Sequence, residues 1–203
     1  MDYLNYGKSD TIKPSEPIKS LKDTASILYP TPLWHFKQPL PPTAYEWALW
    51  YKEQCGCVQV SNRGGYQSLS RPWQEFEFKD HIESVLNEFK EYKNLNFSNW
   101  WLNINGKGNG NVKHVHSGSD LSAVWYITDN EGLLIFEDPL VFSREAITSL
   151  VFDSTTCKQL KAKAGDLLIF PSDLPHFVED HILDTPRISV SFNIDLYAVM
   201  EEH

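Results

Sequence analysis

The chain has 203 residues, which at about 150 residues per domain is one domain with some extra. At 41% hydrophobic and 13% aromatic it can bury a core without disulfide support, and three cysteines, an odd number, speak against a disulfide scaffold and suit a reducing compartment. Eighteen Lys and Arg against 27 Asp and Glu leave a net charge of −9, which argues against nucleic acid as the main partner, because phosphate backbones are bound by clustered cations.

Residues 1–24 are polar, with Pro14 and Pro17 and no periodicity, and are expected to form a flexible leader before a single domain at 25–203. The start lacks an apolar core of signal-peptide length, and no stretch approaches 18 apolar residues, so a soluble cytoplasmic protein is expected. After Pro41-Pro42, apolar residues at Ala44, Trp47, Ala48, Tyr51 and Cys55 fall on one face of a 3.6-residue period, and Gly56 supplies a stop. A second helix is expected to open on Asp80 and Glu83 as a capping box, with Ile82, Val85, Leu86, Phe89 and Tyr92 as its buried stripe. From Trp100 onward the pattern changes to short strands: 121–128, 133–136, 159–162, 167–170 and 188–196. Helices followed by five or more strands suggest helices packed outside an antiparallel barrel or sandwich.

Three local patterns carry chemistry. In His114-Val115-His116, residues two apart on a strand share a face, so both imidazoles can reach one metal ion. Such a tripeptide also occurs as packing or surface histidines. In Gly165-Asp166-Leu-Leu-Ile-Phe-Pro171-Ser-Asp-Leu-Pro175-His176, an apolar strand runs into a proline turn that delivers one histidine at its far end. In 187–194, Arg187, Ser189, Ser191 and Asn193 alternate with Ile188, Val190, Phe192 and Ile194. An ordinary half-exposed strand gives the same alternation, but Arg-x-Ser also suits a bidentate carboxylate clamp with a hydroxyl beside it.

The order of these pieces resembles the iron(II)/2-oxoglutarate-dependent dioxygenases. The runs SNRGGYQS (61–68), NVKHVHSGSDLSAVWYI (111–127), AGDLLIFPSDLPHFV (164–178) and PRISVSFNI (186–194), with ILYPTPLW at 27–34, are similar to a family of bacterial and phage-borne 2-oxoglutarate/iron oxygenases. The resemblance implies a mainly β, double-stranded β-helix (jelly-roll, cupin-like) core with N-terminal helices outside it. It implies that His114 and His176 ligate Fe(II), and that Arg187, assisted by Ser189, pairs with the distal carboxylate of 2-oxoglutarate. Oxidation of that co-substrate by O2 to succinate and CO2 would be coupled to hydroxylation of a second substrate. The common ligand set is two histidines and a carboxylate. Here His116 stands where the carboxylate would, as in this related family, and Asp120, four residues on, is the alternative third ligand. Tyr126 and Asn103 are candidates for contact with the co-substrate; core packing is an equal reading of Tyr126, and for Asn103 the contact is the lesser reading.

The remaining features have bland readings. Gly64-Gly65 is first a turn and second a substrate loop, Cys55-Gly56-Cys57 lacks the second cluster that a zinc site needs, Trp100-Trp101 is more readily core than a substrate platform, and His35, His81 and His181, without partner spacing, are expected at the surface. A small molecule or peptide is the expected substrate, no membrane is involved, and a homodimer through an exposed sheet edge is possible. Two other functions fit parts of the pattern. A cupin-type metalloenzyme would need no Arg187-x-Ser189, and a non-catalytic metal-binding jelly roll would lose only stability with its metal.

Overall fold

The alternation of apolar and polar side chains builds two antiparallel sheets, and their strand order brings distant parts of the chain to one cavity. The computed structural model describes residues 31–89, 93–129, 133–140 and 157–197; the expected leader, residues 1–24, and Tyr92 lie outside them. In chain order the elements are β1 (Trp34–Lys37), α1 (Ala44–Gln54), β2 (Asn62–Arg63), β3 (Tyr66–Gln67), β4 (Arg71–Pro72), a 3₁₀ turn (Trp73–Glu75) and α2 (Lys79–Leu86). There follow β5 (Leu95–Asn105), β6 (Gly110–His114), β7 (Leu121–Tyr126), β8 (Leu134–Glu137), β9 (Cys157–Leu160), β10 (Asp166–Pro171), β11 (His176–Val178) and β12 (Arg187–Leu196).

The larger sheet runs β1-β10-β7-β12-β5-β3, with β4 also paired to β5, and the smaller runs β2-β6-β11-β8-β9. Neighbours in both sheets are mostly far apart in sequence: β12 lies between β5 and β7, and β11 between β6 and β8. This is the double-stranded β-helix that the resemblance implied, with the helices outside it. One face of the larger sheet packs against the helices through Trp100, Leu102, Trp125, Ile169, Val190 and Phe192. There Trp47 and Tyr51 of α1 meet the Trp100 ring at centroid distances of 5.8 and 5.1 Å. The opposite face turns toward the smaller sheet, where Val124, Tyr126, Leu168 and Phe170 meet Leu134, Phe136 and Val178.

α1 buries Ala44 and Ala48 and ends at Gln54, one residue before the expected Cys55. The second helix differs more. It has no side-chain cap: Phe78 occupies the N-cap, and Asp80 pairs with Lys79 instead. It stops at Leu86, so Ile82 and Leu86 are buried while Phe89 is exposed and meets Phe36 edge-on. The strands expected in the second half are all present, their ends shifted by one or two residues, and β5 begins five residues before Trp100. Gly165 sits at φ +90, and a Cβ there would lie 2.1 Å from the Gln38 carbonyl oxygen, so only glycine lets the chain enter β10 beneath that segment. No helix of the described residues is long and apolar enough to cross a membrane.

Candidate metal centre

The smaller sheet sets two of the histidines side by side. His114 closes β6 and is the register partner of His176, which opens β11 after the proline turn. His116 lies just beyond β6, so the tripeptide is not strand throughout as expected. Its ring is brought back by two backbone hydrogen bonds: His116 N–H to the Ser172 carbonyl at 2.9 Å, and Ser172 N–H to the Asp120 carbonyl at 3.0 Å. The ligating atoms of His114, His116 and His176 lie within 4.8 Å of one another, and no other such group of three or more His, Cys, Asp or Glu occurs among the described residues.

Each imidazole is oriented by its Nδ1. His114 Nδ1 faces the Val112 carbonyl at 2.7 Å, His176 Nδ1 the Leu174 carbonyl at 2.8 Å, and His116 Nδ1 the Asn193 Oδ1 at 3.1 Å. A carbonyl oxygen only accepts, so Nδ1 carries the proton in each ring and a neutral ring leaves Nε2 bare. Burial favours that neutral form: desolvation lowers the pKa of all three, to about 4 for His116 and about 3 for His176, helped by the neighbouring imidazoles. Three bare nitrogens with their other ring nitrogens tied to oxygen are the donor set a divalent transition metal takes. Neutral imidazoles would leave a bound divalent ion its full double charge. Asp120, the alternative ligand, is outside the group, and its Oδ2 accepts the Leu196 N–H at 2.7 Å.

The triad lines a cavity between the sheets, together with Asn103, Arg187, Ser189 and Ser191. Arg187 is 2% exposed and is the only Arg, Lys, Asp or Glu in that lining. Its guanidinium lies 5.4 Å from the centroid of the Tyr126 ring, so Tyr126 sits against the arginine and not in the cavity wall. Asn103 lines the cavity with its Nδ2 donating to Ser191 Oγ at 3.0 Å. Ser189 faces it from between Asn103 on β5 and Tyr126 on β7, its two register partners.

Two wall residues had other readings in the sequence, Asn193 as part of a polar strand face and Trp101 as core. Asn193 links the metal group to its surroundings, accepting from His116 and from Ser122 Oγ at 3.2 Å and donating to Asn99 Oδ1 at 3.1 Å. Trp101 turns away from the core that holds Trp100 and stacks on His116 at 5.3 Å. The signal was in β5, where Asn99, Trp101, Asn103 and Asn105 alternate with buried Trp100, Leu102 and Ile104. Gly65 is pressed against this wall: a Cβ there would be 2.2 Å from Asn105 Oδ1. His181, expected at the surface, is 2% exposed, and its Nε2 lies 2.6 Å from the Thr185 carbonyl, pinning the turn before β12. His35 pairs with Asp166 at 3.0 Å, and His81 rests half-buried against Trp125. Cys55 and Cys57 are free thiols.

Residues 99–193, which contain the triad and Arg187, match the family model described as "Putative 2OG-Fe(II) oxygenase". No functionally curated protein matches the sequence. Among solved structures, a prolyl-4-hydroxylase of Pseudomonas putida is 15% identical, with a TM-score of 0.58 over 88% of this chain and 97% of that one. HygX of Streptomyces hygroscopicus, with nickel, 2-oxoglutarate and hygromycin B bound, is 14% identical, with a TM-score of 0.56 over 82% and 83%. A Trichoplax adhaerens prolyl hydroxylase in complex with a hypoxia inducible factor peptide is 13% identical, with a TM-score of 0.57 over 80% and 83%. At such identities the solved structures speak for the fold. The family model bears out the resemblance read from the sequence motifs.

Proposed function

We propose, from the premise that residues 99–193 carry the 2OG-Fe(II) oxygenase pattern on the fold of those enzymes, that this chain is an Fe(II)- and 2-oxoglutarate-dependent oxygenase with His114, His116 and His176 as its iron ligands. The observation that carries the reading is the pairing of a neutral three-nitrogen group with one buried guanidinium in the lining of a single cavity. Iron, when bound, supplies the point where O2 and 2-oxoglutarate meet. Arg187 holds the distal carboxylate by charge-assisted hydrogen bonds, Ser189 adds a hydroxyl beside it, and Tyr126 supports the guanidinium from behind. Asn103, tied to Ser191, keeps the wall between them polar and fixed. Asp120 is engaged in holding the end of β12, which supports His116 over Asp120 as third ligand. The acidic balance favours a small-molecule or peptide substrate over nucleic acid.

The test is an anaerobic titration of the apo-protein with Fe(II) and then 2-oxoglutarate, following the visible charge-transfer band of the iron chelate. Both should bind and the band should form. Arg187→Ala should weaken 2-oxoglutarate about a hundredfold, on the order of 3 kcal/mol, because a buried charge-assisted pair is lost. Iron affinity should be unchanged by that substitution. Iron binding without a band would favour a cupin-type enzyme, and an unchanged 2-oxoglutarate affinity in Arg187→Ala would refute the clamp.

A further inference from the structure

A second cleft opens beside His114 and His116. It has a volume of about 290 Å³, shares Ser61, Trp101, His114 and His116 with the first cavity, and is otherwise walled from β3, β5, β12 and the segments before β2, after β3 and after β6. That volume is at the small end for ligand sites and suits a side chain or one small group. Its chemistry contrasts with the first cavity. None of its thirteen lining residues is Asp, Glu, Lys or Arg, in a chain that is 22% charged. The walls carry hydroxyls and carboxamides, among them Ser68, Ser70, Gln67, Asn99 and Asn193, with the indole of Trp101 beside them.

Most of these polar groups are already committed. Asn193 donates to Asn99, Asn99 Nδ2 donates to Ser70 Oγ at 2.6 Å, and Ser68 Oγ accepts the Leu102 N–H at 3.0 Å. Gln67 is different: it is 7% exposed, lines the cleft, and its Oε1 has no hydrogen-bond partner among the described residues. A buried carboxamide oxygen without a partner is costly. No donor among the described residues holds that oxygen, which leaves it able to accept from a ligand. A charged group in this cleft would lose water without finding a counter-charge among the lining side chains, whereas a neutral group that both donates and accepts would meet the hydroxyls and carboxamides there.

We propose that this cleft receives the second substrate, and that the part presented to the metal is an uncharged carboxamide, held by Gln67 and packed beside Trp101. This rests on the oxygenase reading above. A carboxamide is planar, so it lies flat against an indole, and its paired N–H and C=O complement the amide of Gln67 reciprocally. The same group occurs in peptides and in small amides, and both sources enter the test.

The experiment starts from the iron–2-oxoglutarate complex of the full chain, its band recorded first, so that the oxygenase reading is judged before any probe is added. Three capped hexapeptide mixtures are then supplied with O2: neutral (Asn, Gln, Ser, Gly, Ala), acidic (Glu-substituted) and basic (Lys-substituted). N-acetylglutamine amide is the small-amide arm. The readouts are perturbation of the band and stimulated succinate release. Neutral probes should act at concentrations at least tenfold below either charged mixture, and the comparison of peptide with small amide identifies the source. Gln67→Leu should weaken the neutral probes at least tenfold, and Gln67→Glu should shift preference toward the basic mixture. Equal or better response to a charged mixture, no response to any neutral probe, or an unaltered response in both variants would overturn the proposal. A Gln67→Leu protein that loses the band itself would put Gln67 with the co-substrate and overturn it too. If the parent chain forms no band, the oxygenase reading fails and this inference falls with it.

Discussion

The two faces of β12 show how one strand serves packing and chemistry at the same burial. Ile188, Val190, Phe192 and Ile194 are all 0% exposed and belong to the core beneath the helices. Arg187, Ser189 and Ser191 are almost as buried, at 2%, 1% and 8%, yet they and Asn193 face the cavities beside the histidines. Burial therefore does not distinguish the faces; hydrogen bonding does. An apolar side chain gains from losing water, while a buried polar one must find partners. On the site face those partners are Asn103 for Ser191, and His116, Ser122 and Asn99 for Asn193. The general lesson is that a largely buried strand with one strictly polar face needs a reason for that face, and here the face lines the cavities beside the histidines.

The comparison is broken most severely from the apolar side. Phe192 packs between the rings of Trp73, at 4.9 Å, and Phe97, at 6.0 Å. Truncating Phe192→Ala should cost about 3–5 kcal/mol of stability, from lost transfer energy and the cavity left behind. Denaturant unfolding would show the midpoint fall. At a temperature where the variant is still folded, its iron and 2-oxoglutarate affinities should stay within about threefold of the parent, as expected for sites without shared partners. A proportional loss of iron affinity would mean that the two faces are not separable.

How legible all this was in the sequence depended on whether the information was local. The alternation in 187–194 marked both faces of β12, and the strand–proline–histidine order marked His176. β5 was only half seen, because Asn-rich stretches have poor strand propensity and the strand is set by pairing with β12 along its whole length. The capping box failed because Asp80 and Glu83 have the right spacing while the chain enters α2 two residues earlier, with Phe78 as N-cap. Gln67 lies inside the 61–68 run without a role of its own, and Trp101 reads as core from the sequence. What makes Gln67 notable is its register against Asn103 and the missing partner of its oxygen, and both arise only when β3 docks on β5. His181 looked like a lone surface histidine because its partner, the Thr185 carbonyl, is backbone, and no residue type announces that.

The next largest effect should come from Asn193, where the polar face meets His116. Its Oδ1 accepts from the His116 Nδ1–H and so fixes which nitrogen is left for the ion. Asn193→Ala should lower Fe(II) or Mn(II) affinity about 10- to 100-fold, the usual cost of removing a partner that orients a ligand. Stability should fall by only about 1 kcal/mol for the lost hydrogen bonds. Asn193→Asp keeps the acceptor and should recover most of the affinity. Failure of that recovery, measured by titration of the metal into apo-protein, would mean that the amide's link to Asn99 matters and not its hold on His116.

The smallest and most discriminating effect lies at Ser189. Its side chain is 1% exposed and sits one alternation along from Arg187. If its hydroxyl donates to the same carboxylate, Ser189→Ala should weaken 2-oxoglutarate about fivefold, near 1 kcal/mol, and leave the unfolding midpoint in place. Direction alone would not separate this from a slight repacking of the cavity. A double-mutant cycle would, because groups that share a ligand atom couple and groups that merely neighbour each other add. With Arg187→Ala as background, the carboxylate is no longer held where the hydroxyl can reach it, and the Ser189→Ala effect should shrink toward nothing. An effect that stays at fivefold in both backgrounds would make Ser189 a packing residue of the polar face, and the clamp would be Arg187 alone.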